Sequence, residues 1–336
     1  MANCHDLFTE FNSIIRLKDS KRKSLKKSRK SLRDKIRKYF DEEKKDETKP
    51  KFHSQGSFAL DTIVEPIPEE VEEDGVKKTL LYYDMDDGVY FIGDIKGRKS
   101  VQAYHNWIVD AIEGHTQTGL IDKNTCVRTE YADGHHIDMP IYFKEEGKTP
   151  ELAHRSKGWI ESDPKAFQDW FEGKVKDKPQ LRKIVRYLKV WSNYRRTQSA
   201  DKPMISGFIL TILAANHYLS NERDDIAFKE TLVLIKTKLD SSFTCYRPTV
   251  PTNEDLLANY GHKGYFMDCL QKLIDSAITA LKEPNQKKSC EHWQKHFGDR
   301  FPCGLAKDED EKDNLSKSFV TTASASRPWF NNIKDE

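Results

Sequence analysis

Four aspartates in this chain have the types and spacing to do chemistry. Asp84, Asp86 and Asp87 crowd into "YYDMDDGVYF" (residues 82–91), between aromatics that favour strands, and Asp138 lies in "HHIDMPIYF" (residues 135–143). Carboxylates are poor strand formers, so a cluster of them inside a strand-like run needs a reason. In a strand, alternate side chains share a face, which puts Asp84 and Asp86 together with Cα atoms ~7 Å apart. Met85, Val89 and Phe91 then point the other way, into a core. Asp87 falls on that apolar-facing side, or at a bend that Gly88 permits. In the second stretch Ile137, Met139, Ile141 and Phe143 share one face and Asp138 lies on the opposite one. Pairing of the two strands would bring Asp84, Asp86 and Asp138 to one site. Three ionised carboxylates repel one another unless cations neutralise them. Oxygen ligands favour Mg²⁺ or Mn²⁺, and two such ions suit phosphoryl transfer. The plainer alternative is a solvated strand end.

"SQGSF" (residues 54–58) precedes the aspartates by about 30 residues. Gly56 lets a backbone approach a phosphate closely, and Ser57 offers a hydroxyl and an N–H. A rival site is "CEHWQKHFGDRFPCG", where Cys290, His292, His296 and Cys303 are zinc-ligand types. Their spacing is not that of a standard finger, and an ordinary surface helix also places two histidines on one face.

The elements that must position these residues can be read from periodicity. With 336 residues the chain can hold one large domain or two medium ones. Leu7, Phe11, Ile14, Leu25, Leu32, Ile36 and Tyr39 predict one long amphipathic helix over residues 5–40. Residues 41–51 and 66–79 read as charged, exposed loops. Between 52 and 143 the period changes to two, predicting three strands, with "VQAYHNWIVDAIEGH" as a helix between the second and third. A loop near 144–158 leads to helices. "SDPKAFQDWFEG" has a Ser or Asp cap before a proline, and "LRKIVRYLKVWSNYRR" aligns Leu181, Ile184, Val185, Leu188 and Trp191. "SGFILTILAANHYL" is apolar nearly all round and should be buried, and two more amphipathic helices fall near 222–239 and 264–282. "TTASASRPWFNNIKDE" reads as a loose tail. Strands followed by helices make an α+β chain.

Net charge is only +2, so nothing drives the whole chain toward nucleic acid, although residues 16–38 hold thirteen Lys or Arg against two Asp. That stretch is either a nucleic-acid face or a solvated helix face. The six cysteines form no C-x-x-C pair, which predicts reduced thiols in a cytoplasmic protein. No segment has the ~18 continuous apolar residues of a membrane span, and the N-terminus has no apolar run of signal length.

The order "GSF", "DMDD", "HIDMP" resembles the polymerase-beta-type nucleotidyltransferases. More narrowly, "SQGSFALDT", "NTCVR", "GWIESDPKAFQDWF" and "LRKIVRYLKVW" make the chain similar to the cGAS/DncV-like nucleotidyltransferases (CD-NTases), through most of residues 52–216. The resemblance implies a nucleotidyltransferase sheet flanked by helices and packed against a C-terminal helical lobe. It would divide the chain into a long N-terminal helix spanning the lobes (1–50), a catalytic core (51–158), a helical lobe (159–320) and a flexible tail (321–336). It implies that Asp84, Asp86 and Asp138 are catalytic and bind two Mg²⁺, or Mn²⁺. Gln55, Gly56 and Ser57, continued by Phe58, Ala59 and Leu60, would surround the donor phosphates. Arg128 would contact nucleotide, and Lys189 and Ser206 the triphosphate. The base-facing position falls on Asn253, Glu254 or Asp255, of which Asn253 is taken as nucleotide-binding. The implied activity is synthesis of a cyclic dinucleotide from two NTPs, ATP and GTP, as a second messenger in CBASS antiphage defence. Nucleic acid would not be required, and accessory proteins would act on the tail. The alternatives are a related enzyme making linear products or modifying RNA or protein, and a non-catalytic nucleic-acid-binding scaffold.

Overall fold

Two large hydrophobic cores, beside a small cluster of Tyr90, Tyr142 and Leu152, decide where the described elements go. The computed structural model describes residues 2–73, 76–199 and 201–310. Helix α1 (His5–Ile15) buries Leu7, Phe8, Phe11 and Ile15 in the helical core. Helix α2 (Asp19–Glu42) buries Leu25, Leu32, Ile36 and Phe40 against the sheet. The single helix expected over 5–40 is therefore two. The chain turns extended at Arg16 (φ −71°, ψ 134°), which bridges to Val64, and buried Leu17 crosses into the second core. One apolar stripe cannot face two cores along one straight axis, so the helix breaks between them.

The sheet lobe follows: β1 (Lys51–Gln55), the short helix α3 (Gly56–Ala59), β2 (Glu69–Glu73), β3 (Val76–Leu80), β4 (Tyr83–Ile92), α4 (Val101–Ile112), β5 (Leu120–Asp122), β6 (Val127–Glu130), β7 (His135–Met139), β8 (Ile141–Lys144), β9 (Glu151–His154) and β10 (Gly158–Glu161). The strand order is β10-β9-β8-β4-β7-β6-β5, and β1 also pairs with β4. β7 and β8 are two halves of one strand, parallel to β4 in a common register: Tyr83 faces His135 and Val89 faces Ile141. Pro140 separates the halves, and its carbonyl accepts from the Val89 N–H at 2.8 Å.

Two expected loops are hairpins. Within 66–79, β2 and β3 pair with Glu72 opposite Lys77, a cross-strand charge match that a hydropathy pattern does not reveal. Within 144–158, β9 and β10 pair, each only four residues long, too short for a period to show.

The helical lobe is built from α5 (Pro164–Val175), α6 (Gln180–Gln198), α7 (Gly207–His217), α8 (Asp224–Ser241), α9 (Lys263–Lys282) and α10 (Gln286–Phe297). Asp163 caps α5, accepting from the Ala166 N–H at 2.9 Å. Leu181, Ile184, Val185, Leu188 and Trp191 of α6 are all buried, as is every residue of α7 from Ile209 to Ala215. The cysteines are not all reduced thiols as expected. Cys290 on α10 and Cys303 in the following turn come within 5.6 Å, Cα to Cα, and form a disulfide. That consumes two of the four zinc-ligand types. A third, His296, is spent on the Ser276 hydroxyl at 2.8 Å and Arg195 at 3.0 Å. No helix among the described residues is long and apolar enough to cross a membrane. The tail at 321–336 lies outside the described residues.

Along β4, Met85, Asp87, Val89 and Phe91 face α2 and the core, and all are fully or nearly fully buried. Asp87 survives there because Arg33 of α2 grips it: Nε donates at 2.6 Å and Nη2 also donates. The Ser54 hydroxyl adds a weaker contact at 3.3 Å. Removing one partner of a buried pair strands the other charge. Arg33→Met should therefore destabilise the protein by about 3–5 kcal/mol in urea melts. Asp87→Asn should act in the same direction. A loss below about 0.5 kcal/mol in both would show that the pair does not hold α2 to the sheet.

Candidate active site

Strand register assembles the site. Across the sheet, Gln55 (β1) pairs with Asp86 (β4), Asp86 with Asp138 (β7), and Asp138 with Arg128 (β6). One step along the same face, Asp84 pairs with His136, and His136 with Glu130. Two transverse polar rows thus lie on the face opposite the α2 core, on strands ~4.8 Å apart. The three sequence-predicted aspartates are neighbours for this reason.

Arg128 does not reach into the cleft described below. It donates to both oxygens of Asp138, Nε to one and Nη2 to the other, each at 2.7 Å. Those hydrogen bonds are the main cause of its raised pKa. The Asp84, His136 and Asp138 ligand atoms all lie within 4.8 Å of one another, a donor set able to hold a metal ion. Asp86 is turned toward Gly56. Burial, then the Asp84 and Asp138 carboxylates beside it, push its carboxyl up to about 8. Crowded oxygen donors that cannot all ionise comfortably alone are the chemistry a divalent cation would relieve.

Gly56 has φ +68°, and a Cβ placed there would sit 1.9 Å from Asp86 Oδ2. The glycine is required first by the carboxylate behind it. Gln55 is buried, and its amide donates to the Tyr142 hydroxyl at 3.1 Å. Ser57 lines the cleft, and its carbonyl accepts from Thr62 N–H at 2.9 Å and Ile63 N–H at 3.1 Å, closing the loop. Leu60 also lines the cleft, whereas Phe58 lies under Arg22 (5.4 Å) and Ala59 closes α3.

The cleft has a volume of about 650 Å³ and lies between the two lobes. From the helical lobe, Lys189 on α6 donates to Thr62 Oγ1 at 3.0 Å and to the Thr62 carbonyl at 3.2 Å. Burial lowers its pKa to about 8, against the pull of Asp84. The loop after Ser57 is held by further cations of that lobe: Arg182 on the Leu60 carbonyl (3.1 Å), Arg186 on the Asp61 carbonyl (2.6 Å) and Arg300 on the Glu65 carbonyl (3.0 Å). Ser206 caps α7, accepting from the Ile209 N–H at 3.3 Å, and lines the cleft next to Lys189. Asn253 does not line it. It is exposed, with φ +63°. Asp255 caps its own turn, accepting from the Cys245 and Leu257 N–H groups at 2.9 and 3.0 Å. Glu254 pairs with Arg247, and it is Arg247 that reaches the cleft. The far wall also holds Gln168, Asn193 and Arg196. Gln168 has a buried Oε1 without a partner among the described residues. Asn193, Arg196 and Arg247 carry no sequence motif, and only the fold brings them in, whereas Gln168 and His136 lie inside "GWIESDPKAFQDWF" and "HIDMP" without a role of their own being apparent there. His136 had one available signal: it sits two residues before Asp138, so strand alternation puts it on the same face.

Residues 50–142 match the family described as cyclic GMP-AMP synthase DncV-like, nucleotidyltransferase domain. The chain is 26% identical to the cyclic GMP-AMP synthase of Escherichia albertii over 75% of this chain, and 25% identical to that of Vibrio cholerae serotype O1 over 70% of it. It spans 56% and 66% of the length of these two relatives. Among solved structures it resembles the Vibrio cholerae di-nucleotide cyclase DncV in complex with ATP, GTP and 5MTHFGLU2. The TM-score is 0.74 at 19% identity, covering 89% of this chain and 97% of that one. DncV with the linear intermediate 5′ pppA(3′,5′)pG gives 0.72 at 20% identity, covering 91% and 98%. The fold is therefore the polymerase-beta-type α+β fold expected, a mixed sheet flanked by helices with a helical C-terminal region.

The raised pKa of Asp86 has a consequence for stability. The folded protein keeps a proton that the unfolded chain loses near 3.8, so this group's contribution is full at low pH and is lost as pH rises through about 8. In chelator-treated protein, the melting temperature of Asp86→Asn relative to wild type should rise between about pH 5 and about pH 8.5. A difference that stays flat with pH would show that Asp86 titrates normally.

Proposed function

Starting from a DncV-like nucleotidyltransferase domain at residues 50–142, we propose that this chain is a cyclic-dinucleotide synthase joining two NTPs, ATP and GTP, with release of pyrophosphate. The observation that carries the reading is the in-register row Asp86–Asp138–Arg128, with Asp84 alongside, at the edge of a cleft whose opposite wall presents Lys189 and Ser206. The donor set fits divalent cations. When bound, two Mg²⁺ or Mn²⁺ ions would supply charge neutralisation at the triphosphate and acidify the acceptor hydroxyl.

The chain's own residues do the rest. Ser57 and Ser206 offer hydroxyls from opposite sides of the cleft to a triphosphate, and Lys189 offers a compact charge between them. Asp138 lies on the acceptor side. Its proton-accepting oxygens are those Arg128 now holds, so Arg128 must turn away as the acceptor ribose arrives, which suits its expected contact with nucleotide. Gln168, Asn193, Arg196 and Arg247 give the bases donors and acceptors on the far wall. Attack of the acceptor hydroxyl on the donor α-phosphate forms a P–O bond and expels pyrophosphate. The linear product then turns round, and its free hydroxyl attacks its own α-phosphate, breaking the α–β bond and releasing a second pyrophosphate. A relative was captured with such a linear intermediate, 5′ pppA(3′,5′)pG. A cytoplasmic role in CBASS antiphage defence, with accessory proteins acting on the tail, belongs to the same proposal.

The test is mass spectrometry of products from all four NTPs with Mg²⁺ or Mn²⁺. A phosphatase-resistant cyclic dinucleotide is expected. Asp84→Asn should lower its formation by roughly 10²–10³-fold or more while the fold is kept. Phosphatase-sensitive linear chains, or label passing into RNA or protein, would favour the alternatives. Lys189→Met should weaken NTP binding by about 1.5–3 kcal/mol in calorimetry. Unchanged affinity would remove Lys189 from the triphosphate site.

A further inference from the structure

Arg247 is held in the cleft wall from three sides. Its backbone N–H donates to the Glu254 carbonyl at 2.9 Å, and its Nε donates to the Glu254 carboxylate. Its guanidinium carbon lies 5.0 Å from the centre of the Phe208 ring, a cation–π contact. Phe208 packs in turn on Phe167, ring centres 4.6 Å apart, and all three line the cleft. The turn that carries Arg247 is closed again by the Leu256 N–H on the Cys245 carbonyl at 2.9 Å and by a Tyr246–Asp255 bridge. With Nε taken, the two Nη groups have no hydrogen-bond partner among the described residues, in a side chain 23% exposed. The other cations of the lining differ. Lys189 is committed to Thr62, and Arg196 is exposed.

This arrangement suits the edge of a neutral base better than a phosphate. Glu254 already balances the guanidinium charge, so a phosphate would gain little net attraction, and the ring beneath is apolar. Two Nη donors in one plane match two acceptors side by side. Of the two purines, guanine has that pair in O6 and N7, whereas adenine sets an amino donor beside its N7.

We propose that Arg247 is the guanine-reading residue of the cleft, its two Nη groups donating to O6 and N7, with Glu254 as the positioning residue that aims them. The inference rests on the nucleotidyl-transfer reading and deepens it by naming what selects one of the two bases. The base-facing role expected of Asn253 falls to Arg247, six residues earlier in the same turn. An adenine in the same pose would set its amino group against an Nη donor and leave both unpaired, so the discrimination comes from rejection as well as attraction.

The experiment uses the full chain with Mg²⁺ and the α,β-methylene analogues of GTP and ATP, whose bridging carbon blocks transfer, titrated by calorimetry. In Arg247→Met the affinity for the guanosine analogue should fall about tenfold or more, and that for the adenosine analogue less than about threefold. Arg247→Lys keeps the charge and loses the fork, so it should lose the same guanine preference. Glu254→Gln should lower the guanine-over-adenine ratio in the same direction. The 7-deaza form of the guanosine analogue, which lacks N7, should bind wild-type protein more weakly and lose little more in Arg247→Met. Equal losses for both purines, or full guanosine affinity in Arg247→Lys, would move Arg247 to the triphosphate and overturn the proposal while nucleotidyl transfer stands. Failure of the wild-type protein to bind either analogue would overturn both. If the variants do not fold, the wild-type comparison decides: a 7-deaza analogue bound as tightly as its parent overturns the contact.

Discussion

The Arg33–Asp87 pair fixes which way the central strand faces. A carboxylate with no exposure in mid-strand is tolerable only with a guanidinium supplying two donors. Because side chains alternate along a strand, that contact also decides the side of every other residue in β4. It sends Asp84 and Asp86 to the cleft. The pair likewise accounts for part of the basic N-terminal stretch, and its neighbours for more. Arg22 is held by Asp61, Arg29 by Ser54, Arg33 by Asp87 and Lys21 by Glu65. Four of the thirteen basic residues in 16–38 are thus engaged with the chain itself, and the other nine are exposed.

The division of labour among the three clustered aspartates is legible in the amino-acid order itself, since it follows from a period of two and the apolar residues between them. The same holds for α6 and α7, whose stripes are long enough to declare themselves. The break after α1 is not legible there. Leu7, Phe11, Leu25 and Leu32 keep helical spacing, and nothing local says that the first two enter one core and the last two another. The hairpins escape because one is nearly all charge and the other is four residues a side.

Within the site, short motifs mark the residues on β4, β7 and the Gly56 turn, because each is constrained by its own strand or loop. The far wall escapes, because Gln168, Asn193, Arg196 and Arg247 meet only through the packing of α5, α6 and the turn after α8. Asn253 shows the converse. A position matched by order along the chain can sit outside the cleft while a nearby residue, Arg247, steered by Glu254, lines it. Arg128 is a third case. Its motif marks it for ligand contact, and in the structure it holds a protein carboxylate in that role's place.

The loop after Ser57 has its carbonyls taken by the opposite lobe: Leu60 by Arg182, Asp61 by Arg186, Thr62 by Lys189 and Glu65 by Arg300. This seam rivets the jaws together. Gaping along it would strip four carbonyl oxygens of their cationic partners at once. If two bond-forming events follow one another here, as proposed, what reorients between them is the guest and not the walls. A slot of set width also acts as a gauge, admitting what can pivot within it and excluding what is too long to turn.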